Sequence, residues 1–187
     1  MCHVRLTTVE PYFSPSHEDA IQEFHILLKL DSGEIKLKDN KLDQLRLMHI
    51  GTQPVPPSLV KHWKKYFPKM AYDTDYGLSE STGPGCVHLG IENEHKVGAI
   101  GLAGFNWETN ILDEEGNPVR QGDVGELVGR GDGVMKEYYR NSEATAKAIR
   151  NGWLFTGDMA KQDEDGLFFL SIGKRISLSL VARIFSP

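Results

Sequence analysis

Asp73-Thr74-Asp75-Tyr76-Gly77-Leu78-Ser79-Glu80 runs out of an apolar-to-polar stretch into an aromatic, a glycine, a hydroxyl and a carboxylate. Tyr76 can stack on a purine, Gly77 lets backbone come close to a ligand, Ser79 can donate to a phosphate oxygen, and Glu80 can hold Mg²⁺. The run is a nucleotide site in miniature, and the segments before it suit one. Leu45, Leu47, Met48 and Ile50 make a short apolar run that stops at Gly51, the pattern of a buried strand in a largely parallel sheet. A loop, Gly51-Thr52-Gln53-Pro54, follows it. A second strand, roughly Met70 to Thr74, leads into Tyr76, so two strand ends and their loops are expected to converge on one crevice, as ligand sites do in open α/β sheets.

Between those strands the spacing predicts a helix opened by Pro56 and Pro57. Leu59, Val60, Trp63, Tyr66 and Phe67 form its apolar face, Lys61, Lys64 and Lys65 its wet one, and it ends before Pro68. Further upstream, Ser16 is a candidate cap with Asp19 three positions on, and Ala20, Ile21, Phe24, Leu27 and Leu28 recur at helical spacing, giving a helix over 17–30. The competing reading is a hairpin across Asp31-Ser32-Gly33, because Ile35 and Leu37 alternate with polar residues beyond it. After Glu80 the helical period disappears. Glycines punctuate short runs such as Glu108 to Leu112 and Glu126 to Val128, and Asp113-Glu114-Glu115-Gly116 and Asp163-Glu164-Asp165-Gly166 are turn signals, so this half reads as β hairpins. One helix interrupts it, capped by Ser142, running through Ala144 to Arg150 and stopped by Asn151-Gly152.

The totals narrow the function classes. The 187 residues suffice for one domain or two small subdomains. A net charge of -5, with 26 acidic against 21 basic residues and no dense Lys/Arg cluster, leaves no footprint for nucleic acid. No apolar run has the length of a membrane span and the N-terminus has no signal-type apolar region, so a soluble, cytoplasmic protein is expected. Cys2 and Cys86 lack metal-type spacing and are read as reduced and structural, and the seven histidines show no paired spacing for a metal. Thr156-Gly157-Asp158 is common turn chemistry, and Ser81-Thr82-Gly83-Pro84-Gly85 lacks the lysine and following helix of a phosphate-binding P-loop.

Order and separation lift these fragments above loop chemistry. Leu45-Arg46 through Gly51-Thr52-Gln53-Pro54 resembles the strand and Gly-Gly-Ala-Pro loop of the adenylate-forming superfamily of acyl-CoA synthetases. Tyr76-Gly77-Leu78-Ser79-Glu80 resembles its Tyr-Gly-x-Thr-Glu motif. Gly125-Glu126-Leu127 with Val134-Met135-Lys136-Glu137-Tyr138-Tyr139 is similar to its Gly-Glu-Leu and Gly-Tyr-Tyr stretch. Glu143-Ala144-Thr145 and Gly152-Trp153-Leu154-Phe155-Thr156-Gly157-Asp158 complete the series. Each motif is short, but their shared order over roughly two thirds of the chain multiplies independent small probabilities.

The resemblance implies an α/β fold, a partial large domain of an adenylate-forming enzyme with an α/β layer followed by a small β-rich, barrel-like subdomain. The boundaries expected are 1–16 for an atypical N-terminal segment, 17–95 for the α/β AMP-binding part, 96–170 for the β-rich part and 171–187 for a divergent tail. It implies an acid–CoA ligase that joins a small carboxylic acid to ATP as acyl-AMP and then passes the acyl group to coenzyme A. It also implies site roles. Gly51, Thr52 and Gln53 line the adenine and acyl pocket, Asp75, Tyr76 and Gly77 hold the nucleotide with Tyr76 packed on adenine, and Ser79 bonds the phosphate. Glu80 holds Mg²⁺, and Asp158 accepts from the two ribose hydroxyls. Ser79 and Glu80 are the residues expected to act in the chemistry. Thr52-Gln53 departs from the family's Gly-Ala and hints at a polar acyl group, with carnitine-type or aromatic-type ligases as candidate relatives.

The family's Pro-Lys-Gly triphosphate loop, its Gly-Arg-x-Lys-Asp segment and its C-terminal lid lysine have no counterpart here, since Ser171-Ile172-Gly173-Lys174-Arg175 does not align with the second of these. The expectation is a truncated form with weak or incomplete activity. The alternatives are a non-catalytic or partner-dependent remnant, and an adenylation domain with a different acceptor.

Overall fold

The apolar run at Leu47–Ile50 forms strand β1, and Ala71–Leu78 forms β2 beside it in parallel register, Leu47 opposite Ala71 and Ile50 opposite Thr74. The computed structural model describes residues 19–39, 46–50, 55–89 and 94–171. Leu45 and the loop Gly51-Thr52-Gln53-Pro54 lie outside them. The parallel pairing is the one expected, but β1 is covered on one face only. Met48 and Ile50 are buried with Tyr72 and Thr74 of β2, whereas Leu47 and His49 share the half-exposed face with Asp73 and Asp75. β2 also runs further than the sequence suggests, through Tyr76 and Gly77 to Leu78, before the chain turns into a single 3-10 turn, Ser79–Ser81. Strands β3 (Gly83–Leu89) and β4 (Leu102–Ala103) complete a sheet of order β1-β2-β3-β4.

The chain divides into two compact units, one of residues 1–76 with 87–101 and the other of 77–86 with 102–187. In the first, helix α1 (Asp19–Asp31) and helix α2 (Pro57–Tyr66) supply Leu27, Leu30, Leu59, Val60 and Trp63 to a core shared with Met48, Ile50, Met70 and Tyr72. α1 covers 19–30 of the stretch expected to be helical and runs one residue past it through Asp31, which removes the hairpin alternative; residues 17 and 18 and the expected cap Ser16 lie outside the described residues. α2 begins with proline at its first position and stops before Pro68, as its spacing predicts. A carboxylate at the end of α1 opposes the helix dipole. Asp31 is compensated from α2, where the Tyr66 hydroxyl donates to it at 2.5 Å, His62 Nε2 lies 2.8 Å away and Lys65 Nζ 3.2 Å away. The Tyr66 hydrogen bond first, then His62, holds its carboxyl down at about 2.

The second unit is built on an antiparallel sheet of β5 (Trp107–Leu112), β6 (Val124–Gly131), β7 (Ile149–Arg150), β8 (Trp153–Gln162) and β9 (Phe168–Leu170), ordered β5-β6-β8-β7 with β9 also on β8. Ile111, Leu112, Leu127, Val128, Leu154, Ala160, Leu167 and Phe168 are its buried apolar residues. The turns at Asp113–Gly116 and Asp163–Gly166 form as expected. Asp113 accepts from the Asn117 amide and Asp163 from those of Asp165 and Leu167. The intervening helix, α3 (Ser142–Ala148), differs in two respects. Its cap is Asn141, whose side chain accepts from the Ala144 amide, and not Ser142. It ends at Ala148 because Ile149 and Arg150 leave it for β7, and Asn151-Gly152, both at positive φ, is the two-residue loop of a β7–β8 hairpin rather than a helix stop. Asn-Gly suits both roles locally, and the pairing of Arg150 with Trp153 selects the second.

Candidate functional site

β2 carries Asp75 and Tyr76 in the first unit, and the 3-10 turn that follows carries Ser79 and Glu80 in the second. On β2 the exposed-face carboxylates grip the one polar residue of β1. His49 Nδ1 donates to Asp73 Oδ1 at 2.6 Å, and its Nε2 lies 3.2 Å from Asp75 Oδ1. Both ring nitrogens donate only in the imidazolium. The Asp73 hydrogen bond, then that of Asp75, raises the His49 pKa to about 10, so the ring is charged near neutrality. Asp75 precedes Tyr76, so the clamp ends directly against the residue expected to meet adenine. Sequence reading set the histidines aside as structural or exposed and did not single out His49, because the partner carboxylates lie 24 and 26 positions away (73 − 49 and 75 − 49).

Within the second unit Ser79 is exposed and Glu80 half-buried. The Tyr138 hydroxyl donates to Glu80 Oε1 at 2.7 Å, and the Glu80 main-chain oxygen accepts from the Met135 amide, also at 2.7 Å. The chain beyond β6 is thus tied to Glu80 through both backbone and side chain. Gly133 makes the approach possible, since a Cβ there would stand 2.7 Å from the Ser81 carbonyl oxygen and 2.8 Å from the Trp107 ring. Ser81 is consumed locally, its hydroxyl accepting from the Leu78 amide and lying 2.7 Å from the Gly83 carbonyl. The stretch after it becomes strand β3, consistent with its lack of P-loop features.

Thr156-Gly157-Asp158 is not a turn. It is a bulge inside β8, where Glu126 pairs with Met159 and Val128 with Phe155, so that three residues of β8 face Leu127 alone. Gly157 takes the left-handed conformation at φ 79, which favours glycine. The Thr156 hydroxyl donates to the Leu127 carbonyl at 2.7 Å and accepts from the Asp158 amide at 3.1 Å, while the Gly157 amide donates to Glu126 Oε1 at 2.9 Å. On the other edge of β8, β7 pairs up to Leu154 and β9 from Ala160, so the two strands flank the bulge.

Glu80 and Asp158 thus belong to one unit and Asp75 and Tyr76 to the other, while Gly51, Thr52 and Gln53 lie outside the described residues. No cluster of His, Cys, Asp or Glu among the described residues forms a metal cage. Glu80, with one carboxylate oxygen engaged by Tyr138, has the oxygen chemistry that suits Mg²⁺, a cation commonly held by one or two protein carboxylates together with substrate phosphates. Cys86 is a free, buried thiol, pushed up to about 11 by burial, and so is inert structure as expected.

Against known families, residues 13–139 match the model described as AMP-binding enzyme. The chain belongs to the AMP-binding enzyme family. Its curated relatives are CoA ligases. It is 36% identical over 131 residues to the 4-coumarate–CoA ligase-like 4 protein of Oryza sativa subsp. japonica, covering 69% of this chain and 24% of that one. It is 36% identical over 129 residues to a feruloyl-CoA synthase of Amycolatopsis sp, covering 68% and 26%. The chain therefore spans about a quarter of the length of these relatives. Among solved structures, the inhibitor-bound N-terminal domain of FACL13 from Mycobacterium tuberculosis superposes with a TM-score of 0.61 at 29% identity, over 69% of this chain and 32% of that one. The α/β sheet followed by an antiparallel β-rich unit is accordingly the architecture of adenylate-forming domains. Among the described residues of this family member, no helix is long and apolar enough to cross a membrane.

Proposed function

We propose that this chain carries the adenylate-recognition part of an AMP-forming acid–CoA ligase. In that reaction a carboxylate oxygen attacks the α-phosphorus of ATP, a new O–P bond forms, the α–β phosphoanhydride bond breaks and pyrophosphate leaves. The thiol of coenzyme A then attacks the acyl carbonyl carbon of acyl-AMP, a C–S bond forms, the C–O bond to the phosphate breaks and AMP leaves. The observation that carries the reading is the bulge in β8 that sets Asp158 apart from the ladder within a chain of this family, because a carboxylate with two acceptor oxygens suits a ribose diol. Tyr76 packs on adenine with Asp75 and Gly77 beside it, Ser79 bonds the α-phosphate, and Gly51, Thr52 and Gln53 line the acyl side. Glu80 would hold Mg²⁺, which supplies charge to offset that developing on the phosphates. Tyr138 keeps Glu80 Oε1 engaged and so orients the carboxylate. The polar pair Thr52-Gln53 and the hydroxycinnamate-type names of two relatives point to an aromatic acid bearing polar substituents.

Calorimetric titration with AMP and Mg²⁺ tests the site. Measurable binding is expected, weakened about tenfold or more in Asp158→Ala, since hydrogen bonds to a charged group contribute ~1.5–3 kcal/mol. Absence of binding, or binding that Asp158→Ala leaves unchanged, removes the reading. None of the residues assigned here holds the β- and γ-phosphates of ATP, so ATP–pyrophosphate exchange with a panel including coumarate, ferulate and carnitine is expected to be slow. Robust exchange would show that the chain performs the full adenylation step.

A further inference from the structure

The bulge that carries Asp158 is held by two different brackets. One runs through the Thr156 hydroxyl, which donates to the Leu127 carbonyl of β6 and accepts from the Asp158 amide. The other crosses from β6, where Glu126 Oε1 accepts the Gly157 amide at 2.9 Å and Arg150 Nη2 lies 3.8 Å from Glu126 Oε2. The two residues that β8 has in excess over β6 here leave backbone amides that a regular ladder would have satisfied. Glu126 supplies the missing acceptor for the one at Gly157, whose left-handed φ determines how the chain leaves the bulge toward Asp158. Both brackets reach β6, but they hold different points of the bulge: Thr156 bonds the Asp158 amide, whereas Glu126 bonds the Gly157 amide, at the residue with the left-handed φ.

We propose that Glu126 is a positioning residue for Asp158, its carboxylate holding the Gly157 amide so that the bulge presents Asp158 to the ribose hydroxyls of bound adenylate. The inference rests on the nucleotide reading above and gives the glutamate of the Gly125-Glu126-Leu127 motif a physical role.

The test is titration of the whole chain with AMP, 2′-deoxy-AMP and 3′-deoxy-AMP. Wild type is expected to prefer AMP by about tenfold over either deoxynucleotide, the size of one hydrogen bond to a charged group. Glu126→Ala is expected to lose that preference while binding the deoxynucleotides as wild type does. Glu126→Gln, whose amide oxygen accepts the same N–H, is expected to keep it. Hydrogen exchange gives a ligand-free check, with the Gly157 amide protected in wild type and Glu126→Gln and exposed in Glu126→Ala. If Glu126→Ala does not fold, Glu126→Asp, which withdraws the oxygen but keeps the charge, takes its place with the same expected loss. An unchanged preference in the Ala or Asp variant overturns the inference. So does equal loss of affinity for all three nucleotides, the mark of general destabilisation, and so does Glu126→Gln behaving like Glu126→Ala. Failure of wild type to bind any of the three overturns the nucleotide reading itself, and binding of all three equally removes the ribose role of Asp158. Both results differ from a failure confined to Glu126.

Discussion

His49 carries a charge that the apolar residues around it do not announce. In the unfolded chain its imidazole titrates near the ordinary ~6.5, and in the folded chain Asp73 and Asp75 raise it to about 10. A raised pKa means that the protonated ring stabilises the fold. The contribution is complete below the unfolded value and is lost as pH climbs through the folded one. The melting temperature of wild type relative to His49→Asn is therefore expected to be highest near pH 6 and to shrink between about pH 6.5 and 10. Taking the difference cancels Lys65 and Tyr66, which also titrate upward of neutrality and are common to both proteins. A gap that stays constant across that window would show that the clamp is not ionic. The roles proposed for Glu80 and Asp158 come from the short ordered motif that each closes. The contacts beside them are not visible in the sequence, since Tyr138 reaches Glu80 across 58 residues (138 − 80) and Glu126 reaches the Gly157 amide across 31 (157 − 126).

Among the elements, α2 shows local chemistry at its most readable. Pro57 at the first position, apolar residues at helical spacing and Pro68 beyond the end leave one outcome, and the helix spans Pro57–Tyr66. At α3 the same reasoning chose the wrong cap, because Asn141 and Ser142 are both good caps and adjacent. The Asn141 side chain makes the bond to the Ala144 amide. Asn141→Ala is accordingly expected to cost about 1 kcal/mol, whereas Ser142→Ala should stay within roughly 0.5 kcal/mol. Urea unfolding followed by circular dichroism separates the two, and equal losses would return the cap to Ser142. The β8 bulge is the instructive case. Thr-Gly-Asp is turn chemistry in sequence, and what makes it a bulge is that Phe155 and Met159 on either side remain paired with β6.

Across the molecule the described residues form two units with separate cores, one where helices cover a parallel strand pair and one inside an antiparallel sheet. Leu127 is 1% exposed in the second. Leu127→Ala is expected to destabilise by about 2–5 kcal/mol, from lost burial plus the cavity left behind, against a total stability of order 5–15 kcal/mol for a domain. Denaturant titration checks it, and a loss below about 1 kcal/mol would mean that the site collapses around the smaller side chain. Local properties set what could be read along the chain: helical period, proline and glycine punctuation, Asx turns, and the order of five short motifs that marks the family. Each depends on residues within a few positions of one another. Strand pairing set the rest. It decided that β1 buries Met48 and Ile50 while turning His49 toward two aspartates, that Asn151-Gly152 makes a hairpin, and that Glu126 meets Gly157. These are choices of register, and a slip of one residue would exchange the faces of a strand without changing any local pattern. The run Tyr76 to Glu80 stands out by composition and order, but the contacts of its carboxylate residue, with Tyr138 and Met135, exist only once the chain beyond β6 has folded back on it.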